Sequence, residues 1–386
     1  MTGIAQIPVS SPAGIAVFGH ILSHGPVPRI DVARATGLSQ AAVTKAVTVL
    51  IEDGFLEDED AAAPPRSEAP LGRPANPLRV RAGRAQAIGV KVTADRVYAV
   101  RTDLVATPLA STSRANPDTT PEAVLTQIAA VVRDLLIEGT PVSGVGITVS
   151  GDVDAQAGVV RDSPLMGWRD VPVAALLGER LRLPIVLEND VRALTIAEQM
   201  FGRGAGTHSF AMVTIGAGIG CGIFVNGAVV EGAHGVSGEI GHLPLAPGNL
   251  VCSCGRRGCV ETIASSAAIV TAVRRALGNH TLDMPAVVEL ARAGDVAART
   301  AFADAGETIG SALAALVNLI GPQRVIIAGE AVGEYDLYAE RIRKAFAEHA
   351  FGSALNCEII VASHTFEEWA RGGAVAVIRE IARGRG

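Results

Sequence analysis

Val229-Val230-Glu231-Gly232-Ala233-His234-Gly235-Val236-Ser237-Gly238-Glu239-Ile240-Gly241-His242 leads, through a short connection, into Cys252-Ser253-Cys254-Gly255-Arg256-Arg257-Gly258-Cys259-Val260-Glu261. One imidazole nitrogen and three thiolates make the full ligand set of a tetrahedral zinc site closed to water. The glycines between the cysteines permit the tight turns that bring the sulfurs together. A lone Cys-x-Cys would say little. The third cysteine, with a histidine ahead, predicts a structural zinc (Zn2+) on His242, Cys252, Cys254 and Cys259. The alternative for the same residues is a reduced, cysteine-rich loop. The chain opens without a charged start and apolar core of the secretory kind, which favours metal over disulfides. Cys221 and Cys357 lie in apolar surroundings and read as small core residues.

Just ahead of that stretch, Phe210 to Val230 carries no formal charge and is long enough to span a bilayer. Gly216, Gly218, Gly220 and Gly222 stand at every second position, which suits strands and a tight turn rather than a membrane helix. Around it the chain alternates apolar runs with helical stretches, as an α/β domain does. Strands are expected at 87–92, 97–102, 144–149, 185–188, 209–214, 220–225, 324–328 and 357–362. Helices are expected at 121–138, 191–201, 265–277, 284–293, 296–320, 337–346 and 368–383. With 386 residues, 49% hydrophobic and 19% charged, burying a sizeable core poses no difficulty.

The N-terminal part has a different texture. Ile15, Val17, Phe18, Ile21 and Leu22 recur at helical spacing within 14–24. A short helix follows at 30–35, then a turn at Thr36-Gly37-Leu38. Ser39 is a natural N-cap for a second periodic run, Val43, Ala46, Val47, Leu50 and Ile51, closed by Gly54. Two helices joined by a glycine-bearing turn describe a helix-turn-helix. Gln40, Ala41, Thr44 and Lys45 fall on the first turns of its second helix, where side chains reach base edges. Acids, alanines and five prolines between Glu57 and Pro77 predict an extended, partly mobile wing and linker. Arg73 and Arg79 flank it, within reach of phosphate or the minor groove. The net charge of −6 excludes a protein coated with basic charge, although not a local DNA-binding face. A winged helix used for protein contact is the alternative.

The stretch 229–261 also resembles the ROK family of repressors, open reading frames and sugar kinases. The likeness extends to Gly167-Trp168-Arg169-Asp170-Val171-Pro172 and Leu187-Glu188-Asn189-Asp190-Val191-Arg192-Ala193, and covers roughly 84 to 383. The helix-turn-helix and Leu71-Gly72-Arg73-Pro74 look like the repressor branch. The resemblance implies residues 1–82 as a winged helix-turn-helix domain and 83–386 as an actin-like ATPase (sugar-kinase-like) domain of α/β class. Its lobe one would span about 83–190 plus the helix 368–386, and lobe two about 191–367, with sugar and nucleotide in the cleft between. Residues matching Asn189, Asp190, Glu239, His242 and Glu261 would hold sugar hydroxyls. Asp190 would be the general base of a kinase, here vestigial, with no catalytic residue expected.

The nucleotide side departs from the family pattern. Where ROK kinases carry Asp-x-Gly-Gly-Thr, this chain reads Val90-Lys91-Val92-Thr93-Ala94. The second phosphate loop, Ile215-Gly216-Ala217-Gly218-Ile219-Gly220, keeps its glycines but has Ala217 in place of a hydroxyl. Ile327-Ala328-Gly329-Glu330 lacks the paired glycine near the adenosine. The expectation is a cytoplasmic, sugar-responsive transcriptional regulator, a repressor of carbohydrate metabolism without kinase activity. Its partners would be operator DNA with an inverted repeat, a sugar or sugar-phosphate effector, and its own copies in a homodimer or dimer of dimers, with no membrane. An active sugar kinase with an accessory N-terminal domain is the alternative. A third reading is a DNA-binding protein whose sensor domain serves only dimerisation.

Overall fold

The computed structural model describes residues 11–59 and 76–384. Arg73 and most of the Pro-rich stretch lie outside the described residues. The chain divides into two compact units, one of residues 1–205 and 366–386, the other of residues 206–365.

The first unit begins with helices α1 (Pro12–His24), α2 (Arg29–Thr36) and α3 (Gln40–Glu52). The Ser11 and Ser39 side chains accept the amides of Gly14 and Ala42 at 3.1 and 3.2 Å, so both outer helices start on N-caps. Gly37, at φ +70°, ends α2 in the left-handed conformation that the turn needs. Val17, Phe18, Ile21, Val32, Val43, Val47 and Leu50 close a small core, against which Phe55 packs edge-on to Phe18. Strands β1 (Leu56–Asp58) and β2 (Leu78–Val80) pair antiparallel and complete the winged helix.

The rest of this unit is built on a five-stranded sheet. In chain order come β3 (Gln86–Val92), β4 (Arg96–Asp103), β5 (Pro108–Ala115), helix α4 (Pro121–Leu135) and β6 (Val142–Val149). A small antiparallel sheet follows, β7 (Asp152–Asp154), β8 (Val159–Ser163) and β9 (Trp168–Val171), then α5 (Val173–Leu181), β10 (Ile185–Asn189) and α6 (Asp190–Phe201). The large sheet is ordered β10-β6-β3-β4-β5. Its Ile88, Val90, Val145 and Ile147 face α4 and α5 in one apolar cluster. The alternate residues face the C-terminal helix, Phe366–Ala382. Gly89 and Gly146 sit side by side in the β3–β6 register. A β-carbon on either would stand 1.9 Å from a carbonyl oxygen of that helix, so only glycine allows the approach.

The second unit has a five-stranded sheet ordered β13-β12-β11-β14-β15. Its strands are β11 (Ser209–Ile215), β12 (Ile219–Val225), β13 (Ala228–Val229), β14 (Arg324–Ala328) and β15 (Glu358–Val361). Its helices are α7 (Glu261–Ala264), α8 (Ser266–Leu277), α9 (Met284–Ala293), α10 (Val296–Ile320) and α11 (Tyr335–His349). The apolar stretch 210–230 is the β11–β12 hairpin and its continuation. No helix among the described residues is long and apolar enough to cross a membrane.

Several expectations need correction. β5 carries Ser111-Thr112-Ser113 and is mostly exposed, so it lacks the apolar alternation that marks a strand. β7 to β9 are too short and too charged to have been read, and α5 was missed with them. Helix α4 stops at Leu135, where Leu136 turns extended, rather than at residue 138. Helix α11 is longer than 337–346 because its first and last turns are polar. Cys221 is buried, but Cys357 is only half-buried at the edge of the core.

Candidate functional site

Gln40, Ala41, Thr44 and Lys45 are all exposed and share one side of α3, while Val43, Val47 and Leu50 point into the winged helix. Thr44 Oγ1 donates to the Gln40 carbonyl at 2.8 Å. Arg79 on β2 is half-exposed but donates to Glu57 at 2.8 Å, and Arg81 donates to the same carboxylate at 3.1 Å. A phosphate would therefore compete with Glu57 for Arg79.

The five residues that the resemblance assigns to a sugar divide between the units, two in the first and three in the second. Asn189 ends β10 and caps α6. Its Oδ1 accepts the Arg192 amide at 3.0 Å, and its Nδ2 donates to the Gly151 carbonyl at 3.0 Å. The amide thus already carries the turn at the strand end. Asp190 opens α6, and its Oδ1 accepts the Val191 amide at 2.8 Å. Its Oδ2 is bonded to Lys91 Nζ, and both side chains are buried. The ammonium also stands 4.9 Å from the centre of the Trp369 ring.

Lys91 thus supplies a counter-charge to Asp190. A general base must accept the substrate's proton, and doing so here would leave the ammonium buried and unpaired. Breaking a buried pair in that way costs about 3–5 kcal/mol. In the sequence Lys91 marks only the absence of the family's acid. Its apolar neighbours Val90 and Val92, in a strand covered on both faces, signal a buried cation that must have a carboxylate partner.

In the second unit, the ligand atoms of His242, Cys252, Cys254 and Cys259 all lie within 4.8 Å of one another. His242 Nδ1 is 3.7 Å from Cys252 Sγ, and Cys254 Sγ is 3.8 Å from Cys259 Sγ. Tetrahedral zinc, with bonds of about 2.0–2.3 Å, separates its ligands by roughly 3.5–3.8 Å, so the four residues fit a metal ion. Burial pushes the Cys259 thiol up to about 12, with the Cys254 and Cys252 thiols adding to the shift. A cation among the sulfurs would reverse that. On its other side, His242 Nε2 faces Glu239 at 3.9 Å, and Glu261 lies 4.0 Å from Nδ1. Within this unit His242 therefore brings the cluster and both carboxylates together.

The loop 215–220, which the resemblance assigns to a phosphate, bonds in part to the protein's own groups. Gly216 gives its amide to the Gly218 carbonyl at 3.1 Å, and Ile219 gives its amide to Glu261 at 2.8 Å. A β-carbon on Gly216 would stand 1.8 Å from Glu330 Oε2, so a carboxylate rests against the loop backbone. A nucleotide phosphate approaching Gly216 meets like charge. In the sequence Glu330 marks only the loss of a glycine; its contact with Gly216 joins the ends of two paired strands far apart in the chain.

With this geometry in place, comparison with known proteins decides the family, since the ROK family model matches residues 87–380. The chain belongs to the ROK family. Among ROK relatives it is 30% identical to the DNA-binding transcriptional dual regulator NagC of Escherichia coli K12, over 82% of this chain and 79% of NagC. It is 32% identical to a glucokinase of Streptomyces coelicolor, over 63% of this chain and 81% of the glucokinase. A crystal structure of a ROK family transcriptional regulator, described as a homologue of the E. coli MLC protein, matches with a TM-score of 0.81. That match covers 97% of this chain and 96% of the other at 23% identity, and so speaks to the fold, winged helix included.

Proposed function

We propose that this ROK protein is a sugar-responsive, DNA-binding transcriptional regulator of carbohydrate metabolism, a repressor that no longer phosphorylates its sugar. The observation that carries the reading is the buried Lys91–Asp190 pair, which binds up the carboxylate that a kinase needs free. The exposed face of α3 and the NagC likeness support the DNA-binding half. In this reading residues 1–82 bind an inverted-repeat operator and residues 83–386 sense a sugar or sugar phosphate. Asn189, Asp190, Glu239, His242 and Glu261 contact that effector. The cluster of His242, Cys252, Cys254 and Cys259 holds a structural zinc, which when bound fixes the His242 ring beside Glu239 and Glu261. The protein works in the cytoplasm as a homodimer or dimer of dimers, its two-fold symmetry matching the half-sites.

The test of the DNA-binding half is selection of duplexes from a random library by the full chain, followed by titration of the selected sequence. Lys45→Ala and Arg73→Ala are expected to weaken binding to all sequences. Gln40→Ala and Thr44→Ala are expected to change which bases are preferred, by roughly 1–3 kcal/mol at a contacted position. Equal binding of selected and scrambled duplexes at physiological salt would count against a specific regulator. A second reading, an active sugar kinase with an accessory N-terminal domain, is favoured by the retained Asp190 and the glucokinase likeness.

A further inference from the structure

Helix α1 of the winged helix packs directly on α6 and on the C-terminal helix. Those two helices also pack on each other and share Glu188, which accepts from Arg192 of α6 and stands 3.5 Å from Arg379 of the C-terminal helix. Asp190 is the first residue of α6, Trp369 lies on the C-terminal helix, and Lys91 Nζ touches both. A second attachment runs through Arg84, which donates to the Asp53 carbonyl at 2.9 Å and stacks 4.6 Å over Phe55. The winged helix is thus seated on the pair of helices that a single buried ammonium joins.

We infer that Lys91 is the positioning residue through which occupancy of Asp190 reaches the winged helix. The inference rests on the regulator reading above and names its internal route. Asp190 Oδ1 already accepts the Val191 amide, so a hydroxyl of a polyol ligand competes with Lys91 for Oδ2. As the hydroxyl takes a share of that oxygen, the ammonium keeps the carboxylate at a longer distance and keeps its seat on the Trp369 ring. The tie between α6 and the C-terminal helix then loosens under α1. The opposite face of the same sheet, covered by α4, takes no part.

Amide hydrogen exchange of the full chain without ligand tests this, because it needs neither the effector nor the operator. The variant is Lys91→Met/Asp190→Asn, which removes both charges together and so leaves neither buried alone. Protection in α1, α6 and the C-terminal helix is expected to fall by about tenfold or more, while α4 keeps its wild-type protection. Lys91→Arg, which restores a cation opposite a retained Asp190, is expected to hold protection near wild type. Should the double variant fail to fold, Lys91→Gln/Asp190→Asn, which also removes both charges but keeps a neutral hydrogen bond between the two positions, is the second variant, with the same pattern expected at smaller amplitude. Unchanged exchange in α1, or an equal loss in α4, would overturn the inference. Those outcomes would leave the regulator reading standing, since that reading is tested separately, by duplex selection and by whether a bound sugar moves operator affinity.

Discussion

Chelation is expected to destabilise the protein by roughly 3 kcal/mol or more, a fall of about 6–12 °C in melting temperature for a domain of this size. The cause lies in four donors spaced for a tetrahedral ion in a loop with little else to hold it. Cys252 and Cys259 are buried, yet the segment around them is turns and single bridges rather than regular structure. Without a cation three thiols face one another at close range. Metal analysis of protein never exposed to chelator should find about one zinc per chain. Cys259→Ser should reproduce the loss of stability and weaken sugar binding with it, because Glu261 follows two residues on and Glu239 faces His242. Uptake of zinc by the stripped chain should release protons, since burial and the neighbouring thiols favour the protonated form of Cys259 until a cation is beside it. Less than a tenth of a metal per chain, in stable protein, would contradict the metal centre.

The second large effect is an absence of turnover. With ATP, magnesium and glucose, xylose or N-acetylglucosamine, phosphoryl transfer is expected at least ~10⁴-fold below the roughly 10 s⁻¹ typical of enzymes. Two independent obstacles combine. In the first unit Asp190 cannot take a proton without stranding Lys91. In the second unit the Glu330 carboxylate covers Gly216, and the Gly216 and Ile219 amides are bonded within the protein. Formation of ADP and sugar phosphate that depends on the sugar and disappears in Asp190→Asn would establish the kinase instead.

How much of this was legible in the sequence varied with the kind of signal. The helices at 284–293 and 296–320 and the strand at 324–328 matched residue for residue, because aspartate caps, proline and glycine punctuate them. The helix-turn-helix was readable for the same reason, through Ser39 and Gly37. The metal cluster was readable because its ligands are close in the chain and chemically uncommon. What stayed hidden depends on partners far apart in sequence. Lys91 and Asp190 are separated by 99 positions, and no local pattern in Val90-Lys91-Val92 says which carboxylate answers the cation. Glu330 and Gly216 present the same difficulty across the β11–β14 pairing. Asn189 illustrates a third case, since at a strand end a turn residue and a ligand residue look alike in sequence, and its side chain here caps α6. The seating of α1 on α6 and the C-terminal helix could not be read at all, since α1 buries one face whichever helices supply the cover.

The most direct measurement is the affinity of the selected operator duplex with and without a sugar that raises the protein's melting temperature. Glucose, xylose and N-acetylglucosamine are the sugars to screen first, each also as its phosphate. A ligand shifts operator affinity only by its differential binding to the two states, typically about 1–3 kcal/mol or roughly 5- to 150-fold. The expected result is a fall of that size at saturating sugar, a matching fall in sugar affinity when operator is bound, and loss of both in Asp190→Ala. An operator affinity that does not move while the sugar is demonstrably bound would contradict the sensor.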